Sequence, residues 1–458
     1  MKAAVIVLAC SAGAALAQPS PADRVYTADQ NSNTISVFNP ASAELLGQIR
    51  LGNPRPDVLS PLYKGEINVH GLGFSPDHKT LIAVSNGSNS VTFIDTATNK
   101  VKGKTYVGRS PHEGFFTADG SEAWVVVRGE DYISVIDPQN FREKRRIATA
   151  PGPGMVLFTP DGRLAFAVSS FTPEVDVIDV KSYSVIKRIP VVSPFSPFLQ
   201  MMPDHSEVWL THKDVGKVTR IDTRTLEVKG VFDTGFITNH LAFAKVDGKL
   251  LAYVTVGGEN VVKVFSTEDT PRLLATIATG ALPHGIWASD DGSRIYVGLE
   301  NGDAVDVIDT AAGKVVSRMP AGQAPQALVY LSGVARSGED RQGLQPRANA
   351  DPANVALKPV RSSTGRGFVV ARSLGLTDAL EVSLFKLKPE TVYSVYLGSQ
   401  ASPVGSFRTD QKGAASGTMI GPVRAFAGGE AARVGSRIVV MEGEAAADPA
   451  LAALASVP

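Results

Sequence analysis

The sequence predicts an all-β chain in which a closed ring of seven four-stranded blades, a β-propeller, is followed by a small β-sandwich-like domain. Three observations predict it. Blocks beginning at His70, His112, Gly154, Pro197, His240, His284 and Gln326 recur 42 to 44 residues apart. Each full block carries four short β-branched or alternating runs, such as Ser90–Asp95 and Tyr132–Asp137, separated by turn residues. The two ends of the repeat region are complementary fragments of one block. Four strands per 40–45 residues is the period of propeller blades.

The strands of a block are called A to D. Residues Arg24–Asp29, Thr34–Phe38 and Leu45–Leu51 read as B, C and D with no A before them, and Gln326–Leu331 as an A with nothing after it. Joined, they make a composite seventh blade, a 3+1 closure that removes free sheet edges. Asp95, Asp137, Asp179, Asp222 and Asp309 end their C strands, where Asp is expected to shape the C–D turn. His78 and His205 stand where other blocks have the Gly of Asp-Gly, a left-handed turn position, and read as structural.

The repeats resemble a known family. Arg294-Ile-Tyr-Val-Gly-Leu299, Ser90–Val101 and Val305–Val316 resemble YVTN-type β-propeller repeats over about Arg24 to Leu331. The resemblance implies a seven-bladed fold found in bacterial surface and periplasmic binding proteins, and also in lactonases, lyases and nitrous oxide reductase. Fold does not choose among these functions.

The domain reading is residues 1–17 signal peptide, 18–331 propeller, 332–354 linker, 355–444 β-sandwich-like domain and 445–458 flexible tail. The start has Lys2, an apolar run and Ala15-Leu16-Ala17, so cleavage is expected after Ala17 and the location is periplasmic or secreted. A lipidated start at Cys10 is the weaker alternative, because the apolar run before it is short. Cys10 is the one cysteine among 458 residues, so cleavage leaves no thiol chemistry or disulfide. Forty-five basic and forty-five acidic side chains give no net charge, which argues against a nucleic-acid partner. No later run is long enough to span a membrane. Polar residues 332–354 read as the linker, and seven strand-like runs follow it.

Strand A is innermost in a blade, so its first residue approaches the central channel. That position reads His70, His112, Gly154, Pro197, His240, His284, Gln326 around the ring. Closed into a circle, His240, His284, Gln326, His70 and His112 are contiguous. Neutral imidazoles suit a divalent transition metal, so His70, His112, His240 and His284 are candidate ligands. The equally open reading is repeat inheritance, in which the rings cap strand ends. The ends of strand B form an outer ring in which Arg128 and Lys213 can hold an anion, joined as ligand contacts by Gln326. Glu113 and Glu300, with Arg128, are the candidate catalytic residues. His212 also ends a B strand and is ambiguous. An insertion between Gly52 and His70 is expected to bring Tyr63, Lys64 and Glu66 over the mouth. Two functions stand: a module binding a small molecule or protein at the channel face, or a metal-dependent lyase or hydrolase using the histidines.

Overall fold

A computed structural model describes residues 19–53, 62–336, 338–348, 352–360, 364–373, 377–397, 402–421, 438–443 and 452–456. The expected signal peptide lies outside them. Seven four-stranded antiparallel sheets are arranged as the repeats require. Blades 1 to 6 begin with Val69–Phe74, Pro111–Phe116, Pro153–Phe158, Leu199–Met201, Thr238–Val246 and Pro283–Ala288. Blade 7 is the composite: Pro325–Leu331 pairs with Arg24–Asp29, setting Val25 opposite Tyr330 and Tyr26 opposite Val329. The described residues contain no α-helix, only a single 3-10 turn at Gly257–Glu259.

Two irregularities recur and have physical consequences. Strands C and D slip register once in every blade, at Val37/Phe38, Phe93/Ile94, Val135/Ile136, Val177/Ile178, Arg220/Ile221, Val264/Phe265 and Val307/Ile308. Such bulges increase strand twist, as a blade needs between its inner and outer edges. Strands A and B slip at a second place, considered below. The middle strands bury nearly every side chain, and adjacent blades share apolar clusters such as that of Leu72, Leu81, Ala83, Val329 and Leu331. Strand D alternates, as in Ser184–Pro190, because only its inner face is covered.

The turn residues behave as read. Asp95 accepts from Thr98 N at 2.9 Å, Asp179 from Ser182 N at 2.7 Å and Asp309 from Ala312 N at 2.8 Å. His78 and His205 sit at φ 58° and 61°, in line with Gly120, Gly162 and Gly292 at 72°, 67° and 71°.

Residues 353–456 contribute one eight-stranded sheet. It curls until its edge strands Gly405–Arg408 and Ala415–Gly421 approach, as the fit of Gly405 against Met419 and Gly417 against Phe407 shows. The expected sandwich-like module is thus a nearly closed, barrel-like roll around Val369, Val382, Leu397 and Val440. The tail reading fails at one point. Leu454–Ser456 is a strand between Ala353–Pro359 and Ile438–Glu442, with Leu454 fully buried. Alanine-rich composition hid it, since Ala452, Leu454 and Ala455 carry the apolar face alone. The linker is docked as well. Asp340 pairs with Arg24 at 2.5 Å, and Gln345 exchanges backbone hydrogen bonds with Gln48 on blade 7.

Candidate binding site in the propeller channel

The second recurring slip lies at the start of strand A. Pairing skips from Val69 to Gly71, Pro111 to Gly114, Thr238 to Leu241 and Pro283 to Ile286. His70, His112, His240 and His284 each fall inside the slip. A residue released from the ladder in this way can be re-aimed, here toward the axis. The residue after two of these histidines is glycine for a steric reason. A Cβ on Gly71 would stand 2.1 Å from His112 O, and one on Gly285 2.3 Å from Gln326 O. Inner strands of neighbouring blades therefore close up, and the imidazoles meet.

They do meet. Ring centres of His70 and His112 are 4.4 Å apart, those of His240 and His284 4.9 Å, and those of His70 and His284 6.4 Å across the Gln326 blade. His112 Nδ1 lies 2.6 Å from Gly154 O, His284 Nδ1 lies 2.7 Å from Glu300 Oε2, and His240 stacks on Phe198 at 3.9 Å. Burial holds all four below their ordinary pKa, with the neighbouring cations adding to it, so the rings are neutral. Among the described residues, no three His, Cys, Asp or Glu side chains stand in a geometry that could hold a metal ion. At the other end of the same strands Phe74 packs edge-to-face on Phe115 and Trp287.

The charged candidates converge on the histidine cluster. Burial lowers the pKa of Arg128, and Glu113 beside it partly offsets this. Lys213 is likewise lowered by burial, with Glu300 and Arg128 acting on it. Neither side chain has an ion pair or hydrogen bond among the described residues. Burial pushes the Glu113 carboxyl well above its usual range, with Arg128 pulling the other way; its Oε2 accepts from Leu72 N at 3.2 Å. Burial would raise Glu300 too, but His284 and Lys213 reverse it and bring its pKa down to about 2. Gln326 also reaches Glu300. The chamber therefore brings together the cations Arg128 and Lys213, the Glu300 carboxylate, the Glu113 carboxyl whose ionisation burial opposes, and four neutral imidazoles. His70 Nδ1, Glu113 Oε1, Ser170 Oγ and Asn239 Oδ1 are buried around it without hydrogen-bond partners. Such orphaned atoms are uncommon in a folded interior and accumulate where a ligand or water belongs.

Two expectations are redirected. Tyr63 does not reach the histidines: its hydroxyl accepts from Asn53 N and donates to Glu66 O, each at 2.8 Å. Glu66 is buried against Ser88, Ser90 and Lys104. The described part of the insertion thus braces blade 1, and the rest, residues 54–61, lies outside the described residues. His212 is spent internally, with Nδ1 2.9 Å from Ser196 Oγ and Nε2 2.6 Å from Thr219 Oγ1.

What the sequence did not reveal is that the C-terminal roll sits on the mouth. Arg372, wholly buried, donates to Asp303 Oδ1 at 2.8 Å, to Glu300 O and to Glu381. Asn31 donates to Glu381 at 3.0 Å and Gln323 to Ser373 O at 2.8 Å. Phe368, Val370 and Phe385 pack with Leu282, Phe236 and Ile237. A cavity of 330 Å³ lies between roll and mouth, and Lys213 and Glu300 are in its wall. Strand spacing within either unit carries no signal for this docking.

Comparisons agree on the fold. A family model for YNCE-like β-propellers matches residues 114–318. Among solved structures, a functionally unknown protein from Desulfotomaculum acetoxidans is 14% identical with TM-score 0.58, covering 68% of this chain and 99% of its own. The periplasmic gluconolactonase PpgL of Pseudomonas aeruginosa is 17% identical with TM-score 0.54, over 68% and 99%. Hydrazine synthase of Kuenenia stuttgartiensis is 18% identical with TM-score 0.52, over 71% and 98%. No curated protein matches the chain by sequence.

Proposed function

We propose, for a chain that carries a seven-bladed YNCE-like β-propeller, that it is a periplasmic or secreted binding protein that takes a small anionic molecule into its channel mouth. The observation that carries this reading is the pair Arg128 and Lys213. Both side chains are half-buried, and a cation drawn partly out of water without a partner carries a desolvation cost, which two of them bear over one chamber. A carboxylate between them removes that cost, with the His70, His112, His240 and His284 rings and Gln326 as further donors or acceptors. Burial favours the protonated form of Glu113, which can donate to the same anion. The location rests on the signal-like start; no helix among the described residues is long and apolar enough to cross a membrane, and one fold neighbour is described as periplasmic.

The test is calorimetric titration of the full chain with a panel of small carboxylates, beside Arg128→Met and Lys213→Met. Binding that weakens at least tenfold in each variant supports the reading. Equal binding in all three proteins overturns it.

A second reading, a metal-dependent lyase or hydrolase, is favoured by one feature. Nδ1 of His112 and of His284 is anchored on an oxygen, which is how metal-ligating imidazoles are oriented by their outer partners. Elemental analysis of chelator-free protein beside His240→Ala/His284→Ala separates the two. Near-stoichiometric metal that vanishes in the variant favours the enzyme, and its absence from both favours the anion binder.

A further inference from the structure

The histidine cluster and the cavity above it share two residues. Glu300 bonds His284 below, and with Lys213 it lines the 330 Å³ cavity above. The far wall of that cavity belongs to the C-terminal roll. Its strands Asp378–Phe385 and Ala415–Gly421 lie side by side, with Ser383 paired opposite Ser416. Ser383, Ser416 and Thr418 face the cavity, and Gln30 and Asn301 face it from the propeller. None of these five side chains has a hydrogen-bond partner among the described residues.

Resting on the anion reading above, we propose that the roll supplies half of the binding site and that the ligand is a polyhydroxylated carboxylate spanning both halves. The carboxylate lies by Lys213 at the channel, and the hydroxylated body lies against Ser383, Ser416 and Thr418. The choice of body follows from the unspent polar groups. An alkyl chain would strip water from five of them and return no hydrogen bond, at about tenfold in affinity for each group left unpaired. Hydroxyls are both donors and acceptors, so they satisfy serine, threonine and amide side chains alike. The cavity also exceeds what a carboxylate group alone would fill. Ile237, Leu282 and Ile420, also in the wall, suit the carbon faces of such a body.

The experiment is calorimetric titration of the full chain with D-galactonate, hexanoate and sorbitol. It is repeated on Ser416→Ala/Thr418→Val and on Lys213→Met. Ser416 and Thr418 are exposed positions of a paired strand, so the first variant keeps the fold, which circular dichroism and the melting curve verify. Galactonate is expected to bind at least tenfold tighter than hexanoate and sorbitol. The roll variant should lose most of that margin, because galactonate loses hydroxyl partners while hexanoate tightens once those two groups no longer have to be stripped of water, and Lys213→Met should weaken both carboxylates. Hexanoate binding as tightly as galactonate, or a margin untouched by the roll variant, overturns the bipartite site while leaving the anion reading standing. Failure of both carboxylates to bind overturns both.

Discussion

His284 Nδ1 stands 2.7 Å from Glu300 Oε2, and Glu300 is also the carboxylate whose charge acts on the Lys213 ammonium. One acidic side chain thus orients a channel imidazole and moderates the positive charge of the mouth. Glu300→Gln is expected to tighten binding of a monocarboxylate at neutral pH about fivefold, because it removes roughly 1 kcal/mol of repulsion at an effective surface dielectric. Calorimetry at low and high salt checks this, and the gain should shrink as salt rises.

Arg128 and Lys213 are costly to the empty fold. Arg128→Met and Lys213→Met are each expected to stabilise the ligand-free chain by about 1 kcal/mol while abolishing tight anion binding, a stability gain at the expense of function. Denaturant midpoints without and with carboxylate read both effects. A loss of stability in the ligand-free variants would show that the cations already have compensating partners.

His212 gives a pH signature separate from the channel. Burial lowers its pKa to about 4, and its two nitrogens are committed to Ser196 and Thr219. The unfolded chain protonates this ring near pH 6.5 and the folded chain only near pH 4. Its contribution is therefore complete above pH 6.5 and is lost as pH falls toward 4, about 3 kcal/mol across the window. His212→Gln should flatten the stability profile between those limits by that amount relative to the parent chain.

Arg372 is the latch between propeller and roll. Arg372→Ala leaves Asp303 buried without its cation; burial already pushes Asp303 to about 6 despite Arg372. Loss of one partner from such a site costs about 3–5 kcal/mol. Hydrogen exchange should show selective loss of protection in Arg366–Ser373 and Asp378–Phe385 with the blades unchanged. Arg372→Leu/Asp303→Asn should restore most of it, since a buried pair can be replaced by neutral groups.

The propeller was legible because its signals are local and repeated. A 42-to-44-residue period, Asp-ended C strands and split terminal blades need only neighbouring residues to be read. The channel histidines were legible for the same reason, since ring closure follows from blade order. Two things were not. Tyr63 looked like a lid residue because an insertion's length does not say which way it folds, and the direction is set by Glu66 finding Ser88, Ser90 and Lys104. The roll's place over the mouth depends on Arg372 meeting Asp303, 69 residues away in sequence, and no repeat or period marks that pair.

The central claim is that Arg128 and Lys213 hold an anion in the channel. Anomalous diffraction from crystals of the full chain soaked in iodide tests it most directly. A strong iodide peak is expected within contact of both side chains, absent from an Arg128→Met/Lys213→Met crystal. Iodide confined to the outer surface, with nothing in the channel, would contradict it.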